Sequence, residues 1–376
     1  NRRSAMGLLP GLSTEGLTGA VRYYDGLTND ARLVIDTIRS AAASGASAHN
    51  YVRFEEAAPH SLGWQCELED AESGNRASVI TRTVVNATGP WSDTITHSHT
   101  RLRLTKGVHI VVDAGRLPIP DAVVIARGER ILFAIPWGER VILGTTDTDY
   151  SGPLEEPVCD PEDSAYVLDA VNQAFPSASL TMADIISAWA GVRPLVADRR
   201  GGPSDISRRH EIRMGEPGWW DVAGGKLTTY RLMAEETVDA VVRFLGVQAS
   251  PCRTAHTPLL SLIEAAPASG ILPPAVCREV VEHCCRQEWS VHLDDVMVRR
   301  TSWRYYHADH STVARVVATW MEEVLSWPEA TKAAELARYD RLTQSHITPR
   351  PHFSTHNASE CAPSAPHSRV WASSNE

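Results

Sequence analysis

The 376 residues carry 36 Lys and Arg against 46 Asp and Glu, a net charge of −10, and 43% are hydrophobic. That length and apolar content support two or three domains with sizeable cores and exclude a wholly disordered chain or a simple fibre. No run approaches the roughly 18 apolar residues of a bilayer span, and Asn1-Arg2-Arg3 leads into no signal-like apolar stretch. The acidic balance argues against a general nucleic-acid binder, whose affinity comes from excess Lys and Arg.

The seven cysteines (Cys66, Cys159, Cys252, Cys277, Cys284, Cys285, Cys361) are odd in number and show no Cys-x-x-Cys spacing. Neither a disulfide scaffold nor a zinc ribbon is expected, and a reducing compartment is the default. Only three of the 36 basic residues are lysines, Lys106, Lys226 and Lys332. In a chain that uses arginine as its general cation, a lysine hints at a specific need.

In chain order, residues 21–25 read as a strand end. Asn29 or Asp30 can cap a helix whose apolar positions Ala31, Val34, Ile35, Ile38, Ala41 and Ala42 fall at helical spacing, and this helix is expected to pack on a sheet. Residues 52–54, 64–68 and 79–85 read as strands around a polar turn at 72–75. From 102 to 146 the runs GVHIVV, DAVVIA, RILFAIP and RVILGTT are short, β-rich and bounded by Gly, Pro or charge, which predicts antiparallel strands. A helix over about 161–174 follows, then a strand ending in GVRPLV, a Gly/Pro/Ser/Arg loop (198–207) and a short hairpin. A strand then ends at Ala223, Gly224 and Gly225 make a turn, and Thr228 can cap a helix lined by Ala234, Val238, Val241 and Leu245 and stopped by Gly246. Beyond about 255 the pattern is helical, with Val313, Val316, Val317, Trp320, Met321, Val324 and Leu325 forming a stripe after Ser311. Residues from 345 onward read as a disordered tail.

No Gly-x-Gly-x-x-Gly follows a strand anywhere, so no dinucleotide pyrophosphate cradle is encoded in these residues. Three other blocks suggest a site. In VVNATGPWSD a β-run breaks at Thr88-Gly89; the choice lies between an ordinary strand-to-helix corner and backbone passing close to a cofactor. In GGKLTTYRLMAE two glycines permit close backbone approach, and the new helix start offers free N–H groups to an anion. That arrangement suits a flavin, whose reduced ring carries negative charge, although a plain capped turn would also explain it. Arg193, within the apolar GVRPLV, needs an anion or carboxylate, and Arg208 follows in SRRHEI. Two convergent arginines suit a phosphate; buried salt bridges or a solvated edge are the alternatives. His109 in KGVHIVV shares a face with Gly107 and is a candidate acid–base group or a satisfied core histidine. The hydroxyls and carboxylates of GTTDTDY could line a polyol site or form a turn. His97 with His99 and His307 with His310 could hold a metal only with further ligands, so no metal site is expected.

Taken in this order, VRYYDGLTNDARL, VVNATGPWSD, KGVHIVV, IPWGERVILGTTDTDY, GVRPLV, SRRHEI and GGKLTTYRLMAE closely resemble the FAD-dependent glycerol-3-phosphate dehydrogenases, over roughly residues 15 to 340. The resemblance implies an α/β (α+β) fold: an FAD/NAD(P)-binding flavoprotein domain, in part over 1–95, an inserted antiparallel β substrate domain over 96–215, and the flavin domain's last strand and helix over 216–250. A C-terminal helical domain over 251–344 and the tail over 345–376 complete the plan. It implies oxidation of sn-glycerol 3-phosphate to dihydroxyacetone phosphate, with electrons passing through FAD to a quinone. The place would be the cytoplasm, peripherally on the inner face of the cytoplasmic membrane, with a homodimer left open and no nucleic-acid partner.

Within that resemblance Arg193 and Arg208 would clamp the phosphate, His109 would accept the C2 hydroxyl proton, and Lys226 would give electrostatic support. Thr146 and Asp147 would shape the polyol end. Gly224, Gly225, Lys226, Leu227 and Thr228 would hold the isoalloxazine end, with Thr88 and Gly89 passing near the cofactor. The family's N-terminal strand, glycine-rich turn and helix have no counterpart here, so the chain is expected to begin inside the flavoprotein fold, to bind FAD poorly or not at all by itself and to have little activity alone. A related flavin oxidase using O₂ or an amine substrate, and a non-catalytic remnant or interaction module, are the competing readings.

Overall fold

The structure is a computed structural model that describes residues 1–127, 130–196, 210–265 and 267–345. Its centre is a six-stranded antiparallel sheet built from β5 (Leu102–Asp113), β6 (Val123–Arg127), β7 (Arg130–Trp137), β8 (Arg140–Gly144), β9 (Thr148–Asp149) and β10 (Ser187–Val196). The order is β10-β5-β8-β7-β6, with the short β9 also paired to β5.

Alternation along β5 decides what each face does, because successive strand residues point to opposite sides. Val108, Ile110 and Val112 join Leu132, Ala134, Val141, Leu143 and Ala188 in a fully buried core. Helix α3 (Pro161–Ala174) covers this face with Val167, Leu168 and Val171. Its start is fixed by a reciprocal capping box between Asp160 and Asp163. Lys106, on the same face of β5, reaches both carboxylates. The opposite face carries Gly107 and His109 on β5, Gly144 on β8, and Trp189, Gly191 and Arg193 on β10, paired in register as His109 with both Gly144 and Trp189, and Gly107 with Gly191.

Two smaller sheets flank it. Strands β1 (Val52–His60), β2 (Gly63–Asp70) and β3 (Arg76–Thr81) form an antiparallel meander. Strands β4 (Val84–Asn86), β11 (His210–Glu216) and β12 (Trp219–Gly224) form the other, in the order β11-β12-β4, with β12 and β4 parallel. The run 79–85, expected as one strand, is therefore two strands in different sheets. No Gly or Pro marks the break at Arg82-Thr83; the division comes from β12, a partner 135 residues away at the Asn86 to Asp221 hydrogen bond.

Nine helices are described. Besides α3 these are α1 (Arg2–Leu8), α2 (Asp30–Ala43), α4 (Tyr230–Leu245), α5 (Leu262–Ala265), α6 (Arg278–Gln287), α7 (Trp303–Tyr306), α8 (His310–Leu325) and α9 (Glu329–Ser345). Asn29 caps α2 as expected, accepting from the Arg32 N–H. The expected packing of α2 on a sheet is not what forms: α2 meets the π-helical turn Asp295–Arg300 instead. Its buried side chain is Arg32, whose guanidinium makes a two-pronged bond to the buried Glu288 carboxylate at 2.6 and 2.7 Å, while Val34 is half exposed. Residues 21–25 form no strand, having no partner edge among the described residues.

The helical segment has its own core of Val280, Val281, Leu293, Met297, Trp303, Val317 and Met321. The α8 stripe contributes Val317 and Met321 to it, while Val316 faces solvent. Gly246 ends α4 in the left-handed conformation at φ 63°. Residues 346–376, read as a tail, lie outside the described residues.

Candidate functional site

The open face of the central sheet is floored by glycine. A side chain on Gly191 would meet no heavy atom of the described residues within 4 Å, so among them there is open space above this position, between Trp189 and Arg193 on the same strand. Beside it the Arg193 guanidinium lies back across Gly107, and a Cβ added to Gly107 would collide with it. On the other side a Cβ on Gly144 would lie 2.4 Å from His109 Cδ2. Glycines at 107, 144 and 191 thus create the room that the candidate side chains Arg193 and His109 fill or border.

Arg193 is held by the segment after β8. Its Nη1 donates to the Thr146 carbonyl at 3.1 Å and to Asp147 Oδ1 at 3.4 Å, and its Nη2 donates to Thr145 Oγ1 at 3.0 Å. The Thr146 hydroxyl turns away from this group: buried, it accepts from the Val108 N–H at 3.2 Å and reaches the Lys106 carbonyl at 3.4 Å. Thr146 therefore offers the site its carbonyl, and Thr145, which the sequence reading did not select, offers the hydroxyl. A strand end rich in threonine was visible in GTTDTDY; which hydroxyl faces Arg193 depends on the turn geometry.

His109 stacks on Trp189, with ring centroids 5.2 Å apart and planes 20° from parallel. Burial, with the Arg193 charge second, pushes its pKa down to about 4, against a smaller opposing pull from Asp30 at the start of α2. The imidazole is therefore neutral near pH 7 and able to accept a proton. His109, Arg193, Thr146 and Asp147 are thus brought together around the same space.

The double-glycine bend lies in a second, adjoining construction. Strands β12 and β4 are parallel, so both deliver their C-terminal ends at one edge: Gly224-Gly225 after β12, and Ala87-Thr88-Gly89 after β4. The C-terminal edge of parallel strands is where α/β folds place ligands. Gly224 and Gly225 have φ of 71° and 84°, and Gly89 has 62°. A Cβ on Gly225 would stand 2.4 Å from the Met233 sulfur on α4. A short 3₁₀ turn, Leu227–Thr229, leads into α4, which has no side-chain cap at its start. The residue at the start of α4 is Thr229, and its hydroxyl instead accepts from the Lys226 N–H at 3.3 Å; the cap expected at Thr228 is not formed. Lys226, Leu227 and Thr228 are exposed around the bend.

A buried hydrogen-bond chain ties the two turns together. Asp221 accepts from Asn86 Nδ2 at 2.8 Å, from the His99 N–H at 2.8 Å and from Trp219 Nε1 at 3.2 Å. Asn86 Oδ1 in turn accepts from the Thr88 hydroxyl at 2.7 Å. Asn86 and Asp221 were not selected from sequence, although a polar residue ending an apolar strand run is a signal that could have found them. Strand β10 lies against β12 and against the Gly89–Trp91 turn, which brings the two constructions side by side.

The residues present fit the ring end of a flavin: two glycines in left-handed conformation, an uncapped helix start and a neighbouring turn on one edge. None of the described turns has the Gly-x-Gly-x-x-Gly pattern of a pyrophosphate cradle. Arg208 lies outside the described residues. Among the described residues no group of three or more His, Cys, Asp and Glu side chains could hold a metal ion. A cavity of about 600 Å³ between α2 and the helical segment, lined by Ile35, Tyr51, Trp289, Arg299 and Arg338 among others, shares no residue with the site.

Comparison with known proteins bears on the family and the fold. The family model described as FAD dependent oxidoreductase matches residues 1–240. The aerobic glycerol-3-phosphate dehydrogenase of Staphylococcus aureus (strain USA300) is 38% identical over 268 residues, covering 68% of this chain and 48% of that protein. The chain thus spans about half the length of the curated relatives it matches. Among solved structures, the glycerol-3-phosphate dehydrogenase from Bacillus halodurans complexed with FAD superposes with a TM-score of 0.81 at 29% identity, over 94% of this chain and 80% of that one.

Proposed function

This chain belongs to the family of FAD-dependent oxidoreductases, and on that premise we propose that it serves the oxidation of sn-glycerol 3-phosphate to dihydroxyacetone phosphate, with a quinone as electron acceptor. The observation that carries the reading is the Arg193 guanidinium folded over Gly107, two residues along β5 from a neutral His109. Two strand residues span about 7 Å, a distance that a three-carbon phosphate ester bridges with its phosphate on the cation and its C2 hydroxyl toward the imidazole.

When bound, FAD supplies a two-electron acceptor for the hydride of C2. The Gly224, Gly225, Leu227 and Thr228 backbone would hold its ring, the helix start would favour the charge of the reduced form, and Thr88 and Gly89 would border it. Lys226 stands at the same bend as an added cation. Arg193 binds the phosphate with charge-assisted hydrogen bonds, releasing its Asp147 contact, and Thr145 and the Thr146 carbonyl line the polyol. His109 takes the hydroxyl proton as the C2–H bond breaks. A bound phosphate dianion also offsets the Arg193 charge that disfavours protonated His109, so substrate binding itself makes the base stronger.

Arg208 is a second phosphate cation in this reading. Peripheral attachment to the inner face of the cytoplasmic membrane and a homodimer complete it; among the described residues no helix is long and apolar enough to cross a membrane. The arginine favours a phosphorylated substrate over an amine. Dye-linked turnover of the FAD-supplemented protein tests the proposal: glycerol 3-phosphate should reduce a quinone analogue while glycerol and simple amines do not. Equal rates with glycerol, or hydrogen peroxide formed in step with substrate loss, would overturn it.

A further inference from the structure

His109 is held without a hydrogen bond: among the described residues none engages its ring nitrogens, and its place is set by packing between the Gly144 backbone and the Trp189 indole. Trp189 is itself on β10, an edge strand, so among the described residues no further strand supports its outer side. That support comes from the helical segment. The Tyr305 ring lies against Trp189 with centroids 4.9 Å apart.

The short helix α7 that carries Tyr305 is tied to the sheet at several points. Ser187 Oγ, on β10, donates to the Tyr305 carbonyl at 2.7 Å. Arg140 Nε, on β8, donates to the Tyr306 carbonyl at 2.9 Å, and the Glu139 N–H donates to the Tyr306 hydroxyl at 3.0 Å. On its other side α7 is anchored by Trp303, fully buried in the helical core. Tyr305 is therefore a rigid strut between that core and the open face of the sheet.

We propose that Tyr305 is a positioning residue for His109, acting through Trp189, so that docking of the helical segment on the sheet completes the proton-accepting site. The inference rests on the reading of His109 as the proton acceptor. It explains why a histidine that must present one nitrogen to a substrate needs no hydrogen bond to orient it: a stack of two aromatic rings backed by a helix restricts the imidazole plane and leaves both ring nitrogens uncommitted. The groups that face His109 are Arg193 and Trp189 from β10, the Gly144 backbone from β8 and Asp30 from α2; among the described ring contacts Tyr305 meets Trp189 and not His109, so its influence is mechanical and solvent-excluding.

Histidine NMR of the full chain tests this independently of turnover. The His109 resonance should titrate at about 4 in the parent protein and stay there in Tyr305→Phe. In Tyr305→Ala, where the indole loses its backing and water reaches the imidazole, it should move up by about one pH unit or more, while His97 on the flanking segment does not move. In FAD-supplemented protein with glycerol 3-phosphate, Tyr305→Ala should lower kcat roughly tenfold with KM nearly unchanged, and Tyr305→Phe should restore it. Should the alanine variant fail to fold, Tyr305→Leu is read in the same way. An unshifted His109 titration in the ringless variant overturns the positioning role whatever the substrate. A shifted titration in a protein that never oxidises glycerol 3-phosphate keeps the positioning role and rejects the substrate.

Discussion

The guanidinium of Arg193 occupies the volume that any side chain on Gly107 would take: a Cβ there would lie 2.1 Å from Nη2 and 2.4 Å from Nη1. Glycine on one strand and arginine on its neighbour are thus halves of a single feature, which the proposed function assigns to the substrate phosphate. Arg193→Ala should lower kcat/KM for glycerol 3-phosphate by about 30- to 1000-fold, equivalent to roughly 2–4 kcal/mol of charge-assisted bonding, mostly through KM. Gly107→Ala should produce the same kind of defect with the arginine still present, because the methyl group displaces it. Steady-state kinetics decide; an unchanged KM in both variants removes Arg193 from substrate binding.

His109→Asn should reduce kcat far more than it raises KM, since the amide keeps the ring's polar edge but accepts no proton at neutral pH. The same variant has a thermodynamic signature. With a folded pKa near 4 against an ordinary 6.5, His109 binds fewer protons in the folded than in the unfolded state between those values. Stability is therefore lost as pH falls from 6.5 to 4, by up to about 3 kcal/mol from this group. Denaturant unfolding across that window should show a shallower slope for His109→Asn; an identical slope would mean that the ring is accessible to protons.

At the double-glycine bend, Gly225→Ala introduces a Cβ 2.4 Å from the Met233 sulfur and places an L side chain at φ 84°. The sulfur ends a flexible chain and can move, while the backbone penalty of about 1–2 kcal/mol cannot be relieved that way. The double substitution Gly225→Ala/Met233→Ala should therefore recover little stability in thermal unfolding. Full recovery would show that crowding alone, and no requirement on the backbone, selects glycine here.

Arg32 and Glu288 join α2 to the helical segment through a pair whose side chains are 5% and 0% exposed. Burial alone would raise the Glu288 pKa, yet the Arg32 bonds, with His283, hold it down at about 2. Its stabilising contribution is complete above the ordinary carboxyl value and fades as pH falls from about 4.5 toward 2. Glu288→Gln should cost about 3–5 kcal/mol by taking the two-pronged partner from a buried guanidinium and leaving it only the Asp36 carboxylate, whereas Arg32→Met/Glu288→Leu should cost less. Chemical denaturation of the two variants makes the comparison; equal losses would assign the effect to packing.

Much of this site can be read from local pattern. The alternation in GVHIVV places Gly107 and His109 on one face and Val108 and Ile110 on the other, as found. The apolar strand that ends in two glycines before a helix is equally direct, because turn and helix start are both local in sequence. What escapes a sequence reading is what depends on distant partners. The Trp189 and Tyr305 contacts of the His109 stack span two elements more than a hundred residues apart at the Ser187 bond. The split of 79–85 depends on β12, and the exposed apolar residues Val34 and Val238 carry a helical pattern without, among the described residues, the buried environment that pattern suggests.

The two-faced character of β5 also makes the spacing of its residues inviolable. Substitutions at 107, 109, 189, 191 or 193 alter what the open side recognises without touching the layer beneath α3. One inserted residue ahead of Lys106 would do the reverse of tuning: it would rotate His109 into the hydrocarbon interior and turn Val108 outward. Gly-x-His on β5 and Trp-x-Gly-x-Arg on β10 therefore behave as paired rulers of fixed length, open to chemical editing at each mark and closed to any change in the distance between marks.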